Sequence, residues 1–332
     1  MADQDLEYGD NLESEAVMAA VEKPHMDEPG VDWSKGAAWV DGEFVPAADA
    51  KVSVFDWGFV RSDVTYDVVH VWHGAFFRLE DHLTRFENSV KGLRMELPVD
   101  HDGLRDILMG CVSRSGLRDA YVAMVMTRGI PDPSWPKRLP SNFKGGNQLI
   151  CYAIPFVWIM KPEMQETGGR MIVSEVPRIA RHSVDPTIKN YHWGDFTNAL
   201  FEVEDNDADY AVLIGPDGYV AECPGANVFA VLDGCVVSPV HGALEGVTRK
   251  SVHELCDLLD IPNRNDHITR DQLLEADEIF MASTAGGIMP ISQINERILS
   301  NGRPGPITRR LHETYWAKHD EGWHTTPVDY DG

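Results

Sequence analysis

One lysine stands in the stretch Ser183-Val184-Asp185-Pro186-Thr187-Ile188-Lys189-Asn190-Tyr191-His192-Trp193-Gly194-Asp195, set among mid-sized and aromatic residues in a chain poor in lysine. Desolvation weakens an amine's preference for the charged form, and the neutral amine is the form that condenses with a carbonyl. Lys189 is therefore read as a Schiff-base lysine. Glu222 ends the run Tyr219-Val220-Ala221-Glu222, just before a sharp turn at Pro224-Gly225. If its partner were the ring nitrogen of pyridoxal phosphate, a carboxylate positioned there would keep that nitrogen protonated and make the ring an electron sink. Gly246-Val247-Thr248 opens a helical pattern, whose free N–H groups and positive dipole end attract an anion. Ser283-Thr284-Ala285-Gly286-Gly287 adds hydroxyls and glycines that let the backbone approach closely. Arg85, in His82-Leu83-Thr84-Arg85, is able to hold a phosphate through two parallel bonds. Each residue alone has a plainer reading: a surface lysine, a solvated glutamate, a helix cap, a solvated arginine.

Such residues need a fold to bring them together. The 332-residue chain, 43% hydrophobic, is long enough to bury a sizeable core and by its size suggests two domains. Lys and Arg total 29 against 53 Asp and Glu, so the formal charge of -24 argues against nucleic acid as a partner. Cys111, Cys151, Cys223, Cys235 and Cys256 form no CxxC pair, which argues against a disulfide framework and a zinc site. His70-x-x-His73 crosses a strand and a turn and reads as ordinary β residues rather than a metal pair. Met1 to Gly30 lacks a basic start followed by an apolar run, and the longest apolar run, Leu149 to Met160, is too short to span a bilayer. A cytoplasmic, membrane-free protein is expected.

Residues 1–33 read as an acidic arm. Residues 34–160 read as a small α/β domain. It holds an Asp41-Gly42 hairpin, a second hairpin from Tyr66 to Trp72 across His73-Gly74, and helices over Glu80 to Met95 and His101 to Ser115. Strands are expected over Tyr121 to Thr127 and Gln148 to Met160. Between those strands, Arg128 to Asn147 carries Pro131, Pro133, Pro136 and Pro140 and cannot be regular structure. A loop that long is functional or disordered. Residues 161–169 read as a linker and 170–332 as a larger domain with a helix over Gly194 to Asn206. Turn-linked strand pairs around Asp217-Gly218 and Asp233-Gly234 suggest a curled, barrel-like sheet. The expected class is α+β.

These pieces stand in the order of the fold-type IV pyridoxal-phosphate enzymes, which the chain resembles. Within them it most resembles the (R)-selective amine transaminases. The residues that carry this are Phe55-Asp56-Trp57-Gly58-Phe59 leading into Ser62-Asp63-Val64-Thr65-Tyr66-Asp67, His82 to Arg85, Asp185 to Asn190 with Trp193-Gly194-Asp195, Gly246 to Lys250, and Thr284 to Gly287. The likeness spans about residues 35 to 325. It implies pyridoxal 5'-phosphate as cofactor and a Lys189 that forms the internal Schiff base and later carries the proton between substrate carbon and cofactor. It also implies that Glu222 holds the pyridine nitrogen, with Asn227 in the cofactor site. Arg85, Val247, Thr248 and Thr284 hold the phosphate, and Leu244 packs on the ring face. Phe59 to Tyr66, with Val68, Trp193 and Ala285, line the substrate pocket. The implied reaction moves the amino group of an (R)-configured primary amine to a 2-keto acid such as pyruvate, in a homodimer whose long loop closes the partner's site.

Two departures bear on the substrate. Arg61 stands where those transaminases carry a histidine, and an arginine at the pocket mouth would pair with a substrate carboxylate. Glu222-Cys223-Pro224-Gly225-Ala226-Asn227 is closer to the branched-chain aminotransferases. Arg138, in the long loop, is a second candidate for the acceptor's carboxylate, moving in for an acid and out for an uncharged amine. The alternatives are a branched-chain or D-amino-acid aminotransferase, a pyridoxal-phosphate lyase, or a non-catalytic relative that binds the cofactor.

Overall fold

Asp41 and Gly42 both take positive φ, 54° and 85°. That is the two-residue hairpin geometry an Asp-Gly pair adopts readily, and it joins β1 (Ala37–Val40) to β2 (Glu43–Pro46) with Val40 opposite Glu43. The structure is a computed structural model and describes residues 32–132 and 146–331. Next comes a short helix, α1 (Trp57–Arg61), capped by the Asp56 side chain, which accepts from the Gly58 N–H. The sequence pattern does not announce α1. β3 (Val64–Trp72) and β4 (Ala75–Phe77) form the second hairpin across His73 and Gly74. α2 (Leu79–Gly92) and α3 (His101–Ser115) follow, the latter opened by an Asp100 cap and closed by Gly116 at φ 67°. β5 (Ala120–Thr127) and β6 (Gln148–Pro155) pair antiparallel in the middle of the first sheet.

The period of β3 decides what each face does. Val69 and Val71 point into a core with Leu83, Phe86, Leu104 and Leu108 of the two helices. Tyr66 and Val68 point the other way, into a cluster with Ala123, Val125 and Ile150. That second face is the one left for a ligand.

The second half holds α4 (Pro162–Thr167), β7 (Gly169–Val173), α5 (Gly194–Asp205), β8 (Tyr210–Val212), β9 (Asn227–Leu232), β10 (Cys235–Pro239) and α6 (Val247–Leu258). It continues with β11 (Asn263–Asp266), α7 (Arg270–Glu275), β12 (Glu278–Ser283), β13 (Gly287–Ile294), β14 (Arg297–Ile298), α8 (Pro306–Asp320) and β15 (Thr325–Pro327). Its mixed sheet runs β11-β10-β9-β12-β13-β7-β8, with β14 beside β13. Buried Glu278 accepts from the Ile307 and Thr308 N–H groups and so seats the first turn of α8 on that sheet. The architecture is α+β with two sheets.

Three boundaries differ from the sequence pattern. Residues 161–169, expected to be a linker, carry α4 and the first residue of β7. Tyr219 to Glu222 makes only isolated bridges, Val220 with Ile214 and Tyr219 with Thr269, because its Asp217-Gly218 turn closes on too few paired residues for a ladder. β15 returns to the first sheet and pairs with β4, Thr325 opposite Phe77, so the C-terminal segment crosses back over the expected boundary at residue 170. No helix among the described residues is long and apolar enough to cross a membrane.

The two halves also meet through a buried histidine pair. His319 on α8 donates from Nδ1 to the Tyr315 carbonyl (2.7 Å), so its Nε2 accepts from His70 Nε2 on β3 (3.0 Å). Phe77 stacks on the His319 ring, centroids 3.8 Å apart. Burial pushes His70 well below its ordinary value of 6.5 and His319 down to about 4, with Arg78 and His73 adding repulsion at His319 and Asp320 opposing it. Both rings are therefore neutral in the folded state while they bind protons in the unfolded chain below pH 6.5. Stability is full above that value and falls as pH drops toward 4, by about 1.4 kcal/mol per pH unit for each proton excluded. Urea melts at pH 7 and pH 5 are expected to show this loss, and His319→Gln is expected to flatten it.

Candidate active site

The connection between β7 and α5 is irregular, yet Lys189 within it is fixed by its backbone. Its carbonyl accepts from the Tyr66 N–H (3.1 Å) and from Thr65 Oγ1 (2.6 Å), and Asn190 bridges to Thr65. A segment of the second half is thereby pinned to β3 of the first sheet. The Lys189 side chain is half-buried, with Nζ 4.4 Å from the centroid of the Tyr66 ring.

Glu222 is 6% exposed and held through both oxygens. Oε1 accepts from Arg178 Nε (3.1 Å) and Nη2 (3.0 Å), and Oε2 accepts from the Leu244 N–H (3.0 Å). Burial raises its carboxyl above the usual range, while Arg178, the Leu244 N–H and Lys189 pull the other way. Arg178 in turn reaches Asp195 Oδ2 with Nη1 (2.6 Å) and lies over the Phe196 ring at 4.1 Å. The guanidinium thus opposes the upward shift that burial imposes on this carboxylate.

Leu244 is a junction. Its N–H is bound by Glu222, and its carbonyl accepts from Asn227 Nδ2 (2.8 Å) and from the Gly246 N–H (2.9 Å). The resulting turn delivers the start of α6, where Gly246 is the cap residue. A Cβ on Gly246 would run into Asn227 Oδ1, so only glycine fits there. No side chain caps α6 and no acidic residue sits in its first turn. By contrast α7 has a full capping box from Thr269 and Gln272. The uncapped end, with buried Val247 and Thr248 behind it, is a ready anion site.

Thr284 and Ala285 lie in the turn between β12 and β13. Ser283 Oγ donates to the Gly225 carbonyl (2.9 Å), the Ile159 N–H to the Ala285 carbonyl (2.8 Å) and Gln165 Nε2 to the Gly286 carbonyl (3.1 Å), so this turn is fixed from three sides. Arg85 projects from α2 and is oriented by Asp67, which accepts from Nε (2.7 Å) and Nη2 (2.8 Å). Asp67 also accepts from His82 Nδ1 (2.8 Å). Burial pushes the Asp67 carboxyl up, but Arg85 and His82 outweigh it and hold it well below the usual range.

Lys189, Glu222, Asn227, Leu244, Val247, Thr248, Thr284, Arg85, Tyr66, Val68, Trp193 and Ala285 all line one cavity of about 240 Å³. Phe59 and Arg61 do not reach its wall. α1 buries Trp57 instead, lays the Arg61 guanidinium over the Trp57 ring at 3.6 Å and leaves Phe59 73% exposed. Arg138 lies outside the described residues. Sequence reasoning missed Arg178 and Asp67. The one acid in a mostly apolar β3 was a usable signal for a buried, paired Asp67; nothing local marks Arg178, whose partners are 17 and 44 residues away.

The family model described as Amino-transferase class IV matches residues 65–294. The chain belongs to this family. A class IV aminotransferase of fold type IV accounts for both the two-sheet architecture and the placement of the cavity. Among curated relatives, a putative branched-chain-amino-acid aminotransferase of Methanocaldococcus jannaschii is 31% identical over 279 residues, 83% of this chain and 94% of that protein. The D-alanine aminotransferase of Bacillus licheniformis is 26% identical over 275 residues, 82% of this chain and 93% of its own length. The branched-chain amino acid aminotransferase of Thermobaculum terrenum, solved in its PLP-bound holo form, superposes with a TM-score of 0.77 at 25% identity, over 89% of this chain and 99% of that one.

The cofactor of this aminotransferase is pyridoxal 5'-phosphate, and the donor set fits it. An uncapped helix start would suit the phosphate's charge, a half-buried amine its carbonyl, and a buried carboxylate paired with an arginine its ring nitrogen.

Proposed function

We propose that this aminotransferase acts on amino acids of the branched-chain or D-amino-acid type, passing the amino group of an apolar donor to a 2-keto acid. The observation that carries this reading is the cavity wall itself: Val68, Val157, Ile159, Trp193 and Phe196 line the same cavity as the lysine and give it apolar surface for such a side chain. The likeness to the branched-chain and D-alanine enzymes supports it. When bound, pyridoxal phosphate supplies the carbonyl that takes up the amino group and the ring that draws electrons from the substrate carbon. Lys189 Nζ is the amine nucleophile and then the carrier of the substrate's α-proton. The Glu222 carboxylate would accept the ring N–H, and Asn227 braces the Leu244 turn beside it. Arg85, the N–H groups at Val247 and Thr248, and the Thr248 and Thr284 hydroxyls take the phosphate. Tyr66, Val68, Trp193 and Ala285 shape the substrate side.

One observation favours a second reading, an (R)-configured primary amine as donor. Both arginines on the wall are committed, Arg85 to Asp67 and Arg178 to Glu222 and Asp195. A donor without a carboxylate needs no further cation there, and Arg138 then serves the keto acid alone. A donor screen separates the readings. Turnover of L-leucine, L-valine or D-alanine with a 2-keto acid is expected, and Arg61→His or Arg138→Ala raises the KM for the keto acid only if that arginine binds it. Turnover of (R)-1-phenylethylamine with none of these amino acids establishes the second reading, and no turnover of any donor removes both.

The functional unit in this reading is a homodimer with its active site near the subunit contact. Val54, Phe55, Phe59 and Val60 are more than half exposed within one short stretch, an apolar patch of the kind that marks an interface. Sedimentation of Phe55→Glu/Phe59→Glu as a monomer is the expected result.

A further inference from the structure

Trp72 at the end of β3, Trp158 in the connection after β6 and Trp316 on α8 come together at the junction of the two halves. Their ring centroids are 4.7 Å (Trp72 to Trp316), 5.7 Å (Trp158 to Trp316) and 5.9 Å (Trp72 to Trp158, at 90°) apart, and all three remain half-buried. They wall a cavity of about 630 Å³ that shares no lining residue with the catalytic one. Three tryptophans left partly open cost apolar hydration that a packed surface would avoid.

Charge surrounds this aromatic floor in an unusual way. Arg309 and Glu313 sit on the same face of α8 as Trp316, at positions i, i+4 and i+7. Arg303 approaches from the segment before that helix, and Glu166 from α4. None of these four side chains enters an ion pair or hydrogen bond among the described residues, although two carry each sign. Thr308, on the same wall, is 1% exposed and its Oγ1 has no hydrogen-bond partner among the described residues. A buried hydroxyl without a partner calls for an explanation.

We propose that this cavity binds an aromatic α-amino acid. The ring stacks on or edges against the tryptophans, as aromatic rings prefer. The ammonium goes to Glu166 and Glu313, and the carboxylate goes to Arg303 and Arg309, where charge-assisted bonds are strongest. A zwitterion satisfies unpaired groups of both signs at once. All four charges are exposed at the rim and solvated in the free protein; a zwitterion offers partners to both signs, an anion or a cation to one only, and a simple apolar ligand to neither. The site is also mechanically close to the chemistry. Trp158 precedes Ile159, whose N–H holds Ala285, and Gln165, on the cavity wall, holds both the Met160 and Gly286 carbonyls.

The test is calorimetric titration of the holoenzyme with L-phenylalanine and L-tryptophan, alongside 3-phenylpropionate, which lacks the ammonium, and 2-phenylethylamine, which lacks the carboxylate. Saturable binding of the amino acids, at least tenfold tighter than either truncated probe, is expected. Arg309→Ala and Glu313→Ala, both at exposed positions, are each expected to weaken binding about tenfold while leaving transamination unchanged. Lys189→Ala leaves this cavity intact and is expected to retain the binding, which separates it from occupancy of the catalytic cavity. Binding that disappears in Lys189→Ala but survives in Arg309→Ala and Glu313→Ala overturns the proposal, as does equal affinity for the truncated probes or no binding at millimolar concentration.

Discussion

Lys189→Ala is expected to lower kcat by a factor on the order of 10³ or more, since a positioned acid–base group alone contributes roughly 10²–10⁴ and here the nucleophile is lost with it. The same change is expected to alter folding stability by less than about 1 kcal/mol. This separation follows from the way the residue is attached. What holds the segment to β3 is the Lys189 carbonyl, accepting from Tyr66 and Thr65, and alanine keeps that carbonyl. The side chain contributes a stand over the Tyr66 ring, an interaction of about 0.5–1 kcal/mol at such partly open sites, and a lesser electrostatic pull on Glu222, the last of the causes acting on that carboxyl. Single-turnover kinetics and urea melts on the two proteins check both halves. A further readout does not depend on turnover: the cofactor should survive dialysis in the wild type and be lost from the variant. Added methylamine should restore part of the rate by supplying a free amine. Activity within tenfold of wild type would remove Lys189 from the reaction.

What could be read from the chain beforehand was whatever is decided by neighbours in sequence. The Asp41-Gly42 turn and the extent of the His101 to Ser115 helix rest on local backbone preferences, and they stand where those preferences put them. The glycine before Val247 is legible for a similar reason, because a helix start that lacks a capping side chain is visible in the residue types. Tyr219 to Glu222 shows the limit. Its turn signal is as good as that of Asp41-Gly42, but whether a turn grows into a ladder depends on what lies alongside, and here only single bridges to Ile214 and Thr269 form. β15 is three residues long and pairs with a strand almost 250 positions earlier, which no local pattern encodes.

The site divides in the same way. Lys189, Glu222, Thr248 and Thr284, which line one cavity, are singled out by residue types in a particular order. The groups that tune them are not, because Arg178, Asp67 and the Leu244 N–H act through partners that only the fold supplies. Arg61 shows the converse. Its residue type suggested a carboxylate ligand, yet the five-residue helix α1 turns it onto its own Trp57 ring. Residue type gives a side chain's capability; backbone direction decides whether that capability faces the substrate.

Arg178→Met should therefore be the most damaging single change outside the lysine. Removing one partner of a buried ion pair leaves an uncompensated charge and typically costs about 3–5 kcal/mol, and here two carboxylates, Glu222 and Asp195, lose their partner together. Glu222 already titrates above its ordinary 4.5 because burial outweighs Arg178. Without the guanidinium its folded value rises further. A group whose folded value exceeds its unfolded one is favourable below the unfolded value and loses that advantage as pH rises. The stability deficit of Arg178→Met should therefore be larger at pH 8 than at pH 5, the reverse of the histidine-pair effect. Affinity for pyridoxamine phosphate, measured by fluorescence, should fall as well, because a protonated Glu222 no longer answers a protonated ring nitrogen. Arg178→Lys restores charge but not the two-point fork on Oε1, and should recover only part of the loss. Adding Glu222→Gln to Arg178→Met removes the stranded charge, so the double variant should be more stable at pH 8 than the single one. If the two losses simply add, Arg178 is packing against Phe196 and has no part in holding the Glu222 charge.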